Sequence, residues 1–392
     1  MAAEITLRHT SDGTPYVRPY LGRSPITGKQ VRPYREFPGM TDAEALRAAE
    51  EWRDSIASTY ERDAQRTGSM LDRYIDGMQA QARSFNTIKT YRLYVRRYAA
   101  PIARTPVSSV TPQILDELFL ELLISGPRGG KPLSPSTVKK FREFLKGAFR
   151  YFLGLGLIGS NPVTDTMPIR AMKGEAHALD EADVQALKRA IGESLSSEQD
   201  TDMGIMRRNA AMGILLALCT GARVGEVCAI RRRDVRLTAL GGSISINGNV
   251  VERDGAAVRQ NHTKGKKPRN VSIDNDTAEA LRAHMDWQKG YLGTCDRNTP
   301  ICTVDGSHMK PSALSGQFRR YRSTLGLDPQ ATMHSLRHTH ATMLLTNGID
   351  IQTVSERLGH AQVSTTLNTY AHVMEGRDRG AADTFGRLME GL

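Results

Sequence analysis

Four side chains near the C-terminal end of the chain have the types and spacing to act together on one anionic group. They lie in MHSLRHTHATMLLTNGIDIQTVSERLGHAQVSTTLNTYAHV, residues 333–373, and are His334, Arg337, His360 and Tyr370. His334 and Arg337 are three residues apart, so on a helix they share one face about one turn apart. His360 follows the Leu-Gly that would close a second helix, and Tyr370 stands ten residues further on. The planar fork of an arginine matches phosphate or carboxylate oxygens. A phenol beside such a cluster is a potential nucleophile.

Two cations upstream extend the set. Arg223 follows the Thr-Gly turn of TGARVGEV at an expected helix start, where backbone N–H groups and the helix dipole favour an anion. Lys264, in HTKGKKPR, sits at or beside an expected hairpin tip, from which a long side chain reaches a neighbouring cleft. Together these are five donors to phosphate and one nucleophile, with no acidic cluster positioned to hold Mg²⁺. Such a site performs phosphoryl transfer by neutralising transition-state charge with protein cations, so neither cofactor nor metal is expected. Plainer readings stand beside this one. Arg223 and Glu226 could merely pair on a helix surface, and Lys264 could belong to a solvated loop with Lys266, Lys267 and Arg269. His334 and His338 have the i, i+4 spacing of a metal pair, but no Glu follows His334 as in HExxH and no acidic third ligand is evident.

The elements that must position these groups occupy a chain of 392 residues, long enough for two or three domains. With 39% hydrophobic and 24% charged residues, the composition is that of a soluble globular protein. No apolar run approaches the ~20 residues of a membrane span. The N-terminal MAAEITLRHT lacks the pattern of a signal peptide, so a cytoplasmic location is expected. Four cysteines form no CxxC pair; Cys219 and Cys228 are expected as buried thiols. A net charge of +11 and a pI near 9.6 point to a polyanionic partner.

Residues 4–37 carry three strand-like pieces broken at Ser11-Asp12-Gly13 and Ser24–Gly28, predicting a small antiparallel sheet. Arg8, Arg18, Arg23, Lys29, Arg32 and Arg35 decorate it, with Tyr16, Tyr20 and Tyr34 between them. This fits either a solvated basic sheet or a ribbon that enters a DNA groove. Thr41–Glu44 reads as a capping box opening a helix to about Arg66. Thr67-Gly68-Ser69 reads as a boundary, followed by a four- or five-helix bundle to about Leu157. Within it, Thr111-Pro112 and Ser134-Pro135 are helix starts, and Val138, Phe141, Leu145, Phe149 and Phe152 form a 3.6-residue stripe. Residues 163–176 read as an exposed linker. Beyond it come a helix from Leu179, an apolar helix over 206–219, three short strands within 241–274 with turns at Asp254-Gly255 and near Lys264-Gly265, and then more helices.

The succession TGARVGEVCAI, TKGKKPRNVSI, HSLRHTHAT and LGHAQVSTTLNTYAHV resembles the tyrosine recombinase (phage integrase) family, over about residues 179–375. Residues 70–160 resemble its core-type DNA-binding domain, and residues 4–66 look like the arm-type domain of lambda-integrase-like members. The implied fold is multidomain. It comprises a small α+β arm-binding domain at 1–66, an all-α core-binding domain at 67–165, and a mainly α catalytic domain with a small antiparallel sheet at 166–392, the DNA breaking-rejoining enzyme fold. The resemblance makes Arg223, Lys264, His334, Arg337, His360 and Tyr370 the catalytic set, with Lys266 or Lys267 replacing Lys264 if the hairpin register differs, and Glu226 supporting Arg223.

The implied activity is site-specific recombination of double-stranded DNA through a 3′-phosphotyrosyl intermediate, inserting and excising a phage or other mobile element. The implied partners are attachment sites with core and arm sequences, a homo-tetramer on DNA, and an excisionase and a DNA-bending host factor. A short amphipathic tail with Phe385, Leu388 and Met389 would dock on a neighbouring protomer or pack in cis. The nearest rival is an Xer-type resolvase of chromosome or plasmid dimers, against which the extra N-terminal region speaks. A type IB topoisomerase and a DNA-binding protein with a decayed site are further rivals.

Overall fold

The computed structural model describes residues 5–20, 30, 32–81, 83–171, 177–197, 201–261, 268–371 and 378–390. The chain divides into two compact units, Met1–Lys173 and Gly174–Leu392. It is mostly helical, with small antiparallel sheets.

The first unit opens with the expected three-stranded sheet, β1 (Arg8–His9), β2 (Pro15–Val17) and β3 (Arg35–Glu36), in the order β1-β2-β3. Arg8 stands opposite Tyr16, and Val17 opposite Arg35. Val17 and Phe37 bury against Ala45 and Ala49 of α1 (Asp42–Ala64) to form a small core. The Arg35 guanidinium covers the rings of Phe37 and Trp52 at 5.4 and 5.5 Å, tying sheet to helix through its charged face. On the sheet, Arg18 lies 5.0 Å over the ring of Tyr34, which stays 44% exposed, so arginine and aromatic remain together at the surface.

A second core in this unit is made by α2 (Thr67–Ala80), α3 (Phe85–Leu93), α4 (Pro112–Ile124) and α5 (Pro135–Gly154). Local chemistry sets the starts. The Thr111 hydroxyl accepts from Ile114 N–H and the Ser134 hydroxyl from Thr137 N–H, each followed by proline at the first helical position. The stripe from Val138 to Phe152 is fully buried. Thr67-Gly68-Ser69 forms the first turn of α2, where Thr67 is buried and both its N–H and its hydroxyl donate to Thr105 O. One expectation is corrected: the segment after Pro162 is not simply exposed. Val163 and Thr166 are buried because the Arg142 guanidinium donates to Val163 O, Thr166 Oγ1 and Thr166 O. Arginine satisfies carbonyls that an extended chain would leave bare.

In the second unit, α6 (Glu181–Ser196) precedes α7 (Asp202–Thr220), which is buried from Asn209 to Leu218. A helix apolar all round belongs inside, and α7 is wrapped by α6, the four-residue α8 (Val224–Val227), α9 (Asn275–Leu292), α10 (Pro311–Leu325) and α11 (Met333–Thr346). Among the described residues no helix is long and apolar enough to cross a membrane. Among the described residues, 241–274 hold four strands rather than three, and a fifth precedes them. β4 (Val235–Thr238), β5 (Gly241–Ile246) and β8 (Arg269–Ile273) form one sheet, and β6 (Asn249–Arg253) with β7 (Ala256–Gln260) forms a hairpin. Asp254 and Gly255, both at positive φ (50° and 81°), close that hairpin as expected. The alanines and arginine of β7 have little strand preference of their own, and cross-strand pairing with β6 makes them a strand. The chain ends with α12 (Ile351–Leu358), α13 (Val363–Tyr370) and α14 (Asp378–Glu390).

Candidate active site

The geometry begins with α11. Met333, Leu336, Arg337, His340, Ala341 and Leu345 form a buried i, i+3, i+4, i+7 stripe, and Ser335 and Thr339 are buried beside it, so the helix carries four polar residues into the interior. His334 lies just outside that stripe and is exposed, because a three-residue step leaves roughly 60° between side chains. The expectation that His334 and Arg337 share a face is therefore refined: they are neighbours, one outward and one inward. The Arg337 side chain is 2% exposed and donates from Nη1 to Gly221 O at 2.7 Å. Its Nη2 has no hydrogen-bond partner among the described residues. A buried guanidinium with an unused donor is costly unless an acceptor arrives, and an anionic oxygen is the strongest one.

Gly221 makes this contact possible. It ends α7 in the left-handed conformation (φ +64°), and a Cβ there would approach Leu358 Cδ2 and His340 Cδ2 at 2.7 and 2.8 Å. His340 donates from Nδ1 to Leu218 O at 2.8 Å, which leaves Nε2 to accept from Arg357 Nε at 3.0 Å. Burial, with Arg357 alongside, pushes His340 down to about 4, so the ring is neutral and serves as a strut.

Glu226, 1% exposed, is the anionic hub. Its Oε2 accepts from Arg223 N–H at 3.0 Å and from Arg269 Nη2 at 2.8 Å, and its Oε1 accepts from Arg223 Nη1 at 3.0 Å. Burial alone would raise this carboxyl, but the hydrogen bonds and charges of Arg269 and Arg223 hold it below the usual range. Arg269 also donates from Nε to Arg357 O at 2.8 Å, gripping the end of α12 just before Gly359 and His360. One guanidinium thus links the carboxylate beneath Arg223 to the turn that presents His360.

His360 is half-buried, with Nδ1 2.7 Å from Thr366 Oγ1. Burial first, then Arg337, Arg223, Arg269 and His334, push it down to about 4. Burial and the repulsion of Arg223 and Arg269 likewise press Arg337 down to about 9, against the pull of Glu226. Mutual repulsion among the arginines at the start of α8, on β8 and on α11, which also keeps His360 neutral, marks a site short of negative charge. Tyr370, the last residue of α13, is 1% exposed, and its Oη lies 2.8 Å from His338 Nδ1. Burial raises the phenol to about 12, against the lowering influence of Arg337.

Arg223, His334, Arg337, His360 and Tyr370 therefore converge, while Lys264, with Lys266 and Lys267, lies outside the described residues. The reading of Arg223 and Glu226 as a surface pair is corrected, since the carboxylate is buried and shared with Arg269. Arg269, Arg357 and the role of His338 were missed. A signal for Arg269 existed: it alternates with Val271 and Ile273, so strand periodicity turns it inward, where a charge needs a buried partner. Among the described residues no group of three or more His, Cys, Asp or Glu is arranged to hold a metal.

A sequence profile described as the phage integrase family matches residues 178–377. A XerC-like tyrosine recombinase of Caldanaerobacter subterraneus subsp. tengcongensis is 24% identical over 387 residues, covering 92% of this chain and 93% of that protein. Among solved structures, the Tn1549 transposon integrase in complex with transposon right end DNA superposes with a TM-score of 0.66 at 18% identity, over 81% of this chain and 99% of that one. A lambda integrase tetramer bound to a Holliday junction gives 0.54 at 20% identity, over 91% and 96%.

Proposed function

The chain belongs to the phage integrase family and is a site-specific DNA recombinase of the tyrosine type, and we propose that it integrates and excises a mobile genetic element by the following chemistry. Arg223, Arg337, His334 and His360 clamp the scissile phosphate, and the unused Nη2 of Arg337 takes one of its oxygens. Tyr370 attacks phosphorus and forms a 3′-phosphotyrosyl bond, while Lys264 protonates the departing 5′ oxygen. The covalent link keeps the bond energy, so rejoining to a second strand needs neither nucleotide hydrolysis nor metal. The observation that carries this reading is the buried Tyr370 phenol beside a buried arginine whose second donor nitrogen is unused among the described residues.

In the same reading residues 1–66 bind arm sequences, 67–165 bind the core site and 166–392 catalyse. The exposed arginines and tyrosines of the β1–β3 sheet support the first of these. On DNA the protein acts as a homo-tetramer, with an excisionase and a DNA-bending host factor setting direction. Phe385, Leu388 and Met389 of α14 are 64%, 65% and 55% exposed at i, i+3, i+4 spacing, which supports docking of the tail on a neighbouring protomer over packing in cis.

The test is a duplex nicked beside the scissile phosphate, made from the direct repeat flanking the gene and resolved on denaturing gels. Wild-type protein accumulates a covalent adduct; Tyr370→Phe binds the DNA and forms none. An adduct persisting in the Phe variant overturns the assignment. Dimer resolution of the Xer type is the second reading, favoured by the alignment of a XerC-like relative along 92% of this chain. Absence of repeats at the ends of the surrounding DNA decides for it.

A further inference from the structure

The assignment of Tyr370 as nucleophile leaves open where its proton goes. The ring in hydrogen-bond contact with the phenol is His338, with Nδ1 2.8 Å from Oη and ring centroids 5.7 Å apart. A general base must stand within about 2.6–3.2 Å of the atom it deprotonates. His338 meets that requirement from a helix, α11, whose start is fixed by a reciprocal pair between Thr332 and Ser335. The groups facing it are His334 and Arg337 on its own helix and Tyr370 from α13. The His334 ring stands edge-on at 4.6 Å, so His338 is sandwiched between an exposed imidazole and the buried phenol.

We propose that His338 is a further catalytic residue, the base that receives the Tyr370 proton during cleavage and returns it during rejoining; this rests on Tyr370 being the nucleophile. As the Oη–P bond forms, the Oη–H bond breaks and the proton passes to His338 Nδ1. The P–O5′ bond breaks with its electron pair on O5′, which takes a proton from a separate donor, the role given above to Lys264. Rejoining runs the same steps in reverse, so protons and charge balance over the cycle.

Two further observations fit. At about 12, the buried phenol is ionised in only about one molecule in 10⁵ at neutral pH, so attack needs a base rather than a preformed phenolate. Burial, His334 and Arg337 push His338 down to about 4, so the ring is neutral and, with its hydrogen on Nε2, offers a lone pair at Nδ1. A DNA phosphate entering among Arg223, Arg337 and His360 adds negative charge. It offsets the repulsion that holds the imidazole down and makes His338 a stronger acceptor when the proton must move.

The experiment is single-turnover adduct formation on the nicked duplex described above, with full-length wild-type, His338→Asn, His338→Ala and Tyr370→Phe proteins, from pH 6.5 to 9. Asn places an amide oxygen near the former Nδ1, so it can hold the phenol but cannot carry the proton. The expected result is DNA binding like wild type, and adduct formation slowed on the order of 10²–10⁴-fold in both His338 variants. Their rates rise about tenfold per pH unit where wild type is flat, as expected when the attacking species is a rare phenolate below its pKa. Added imidazole restores part of the rate of the Ala variant. A substrate with sulfur in place of O5′, which leaves without a proton, speeds Lys264→Ala and leaves the His338 variants slow. Wild-type rates in both His338 variants overturn the proposal, as does a slowed rate that is flat with pH and unmoved by imidazole. Full recovery in the Asn variant reduces His338 to orienting the phenol and overturns it too. An adduct from Tyr370→Phe instead overturns the nucleophile assignment on which the proposal rests.

Discussion

Replacing Arg269 with methionine removes the link between the carboxylate under Arg223 and the turn before His360, with nearly matched side-chain length. Arg269 and Glu226 are 8% and 1% exposed at the side chain, so this is a buried pair. Stripping one partner from such a pair leaves an uncompensated charge and costs about 3–5 kcal/mol. Arg223 still holds Glu226 through two hydrogen bonds, which favours the low end; the lost bond to Arg357 O acts in the other direction. At ~2–4 °C per kcal/mol for a unit of this size, Tm of the second unit falls by roughly 6–20 °C.

The pH dependence has a definite sign. In wild type the Glu226 carboxyl is held below its ordinary value, so its contribution is present above the unfolded-state range and is lost as pH falls through the folded value. In the variant the largest lowering influence is gone while burial still raises the group. The stability gap between the two proteins therefore narrows as pH drops from 7 through the carboxylate range. Calorimetry and urea unfolding of the full chain at several pH values measure this. The double variant Arg269→Met/Glu226→Gln, which removes the stranded charge, should be more stable than Arg269→Met alone. A Tm within 2 °C of wild type, or a gap that Glu226→Gln leaves unchanged, refutes the reasoning.

Gly221→Ala places a side chain at φ +64° against Leu358 and His340, and strain plus overpacking should cost roughly 2–5 kcal/mol. Because Gly221 O also holds Arg337, adduct formation should fall even at temperatures where the variant is folded; full activity there would show that the contact is dispensable. Strand transfer should proceed undiminished in excess EDTA if, as proposed, protein cations neutralise the phosphate; loss of activity under chelation would restore a metal reading of the histidines.

Much of the local structure was legible because its causes are local. Thr111, Ser134 and Asp180 cap helices with hydroxyl or carboxylate oxygens that reach N–H groups three residues ahead. Asp254-Gly255 closes a hairpin because both positions take positive φ, and the aromatic stripe of α5 is buried because its period is that of a helix. The order of four short motifs sufficed to identify the family, since each carries residue types that phosphate chemistry demands. Where local cues misled, distant partners had intervened, as when Arg142 drew Val163 and Thr166 onto the bundle.

The wiring of the site was a matter for tertiary structure. Arg269 meets Glu226 across 43 residues and Arg357 across 88, and His338 meets Tyr370 across 32. By itself the chain determined which side chains were available for chemistry and on which elements they stood. Packing around α7 decided which of them face one another, because a buried charge or phenol takes the partner that folding brings within hydrogen-bond reach, and sequence spacing carries no measure of that distance.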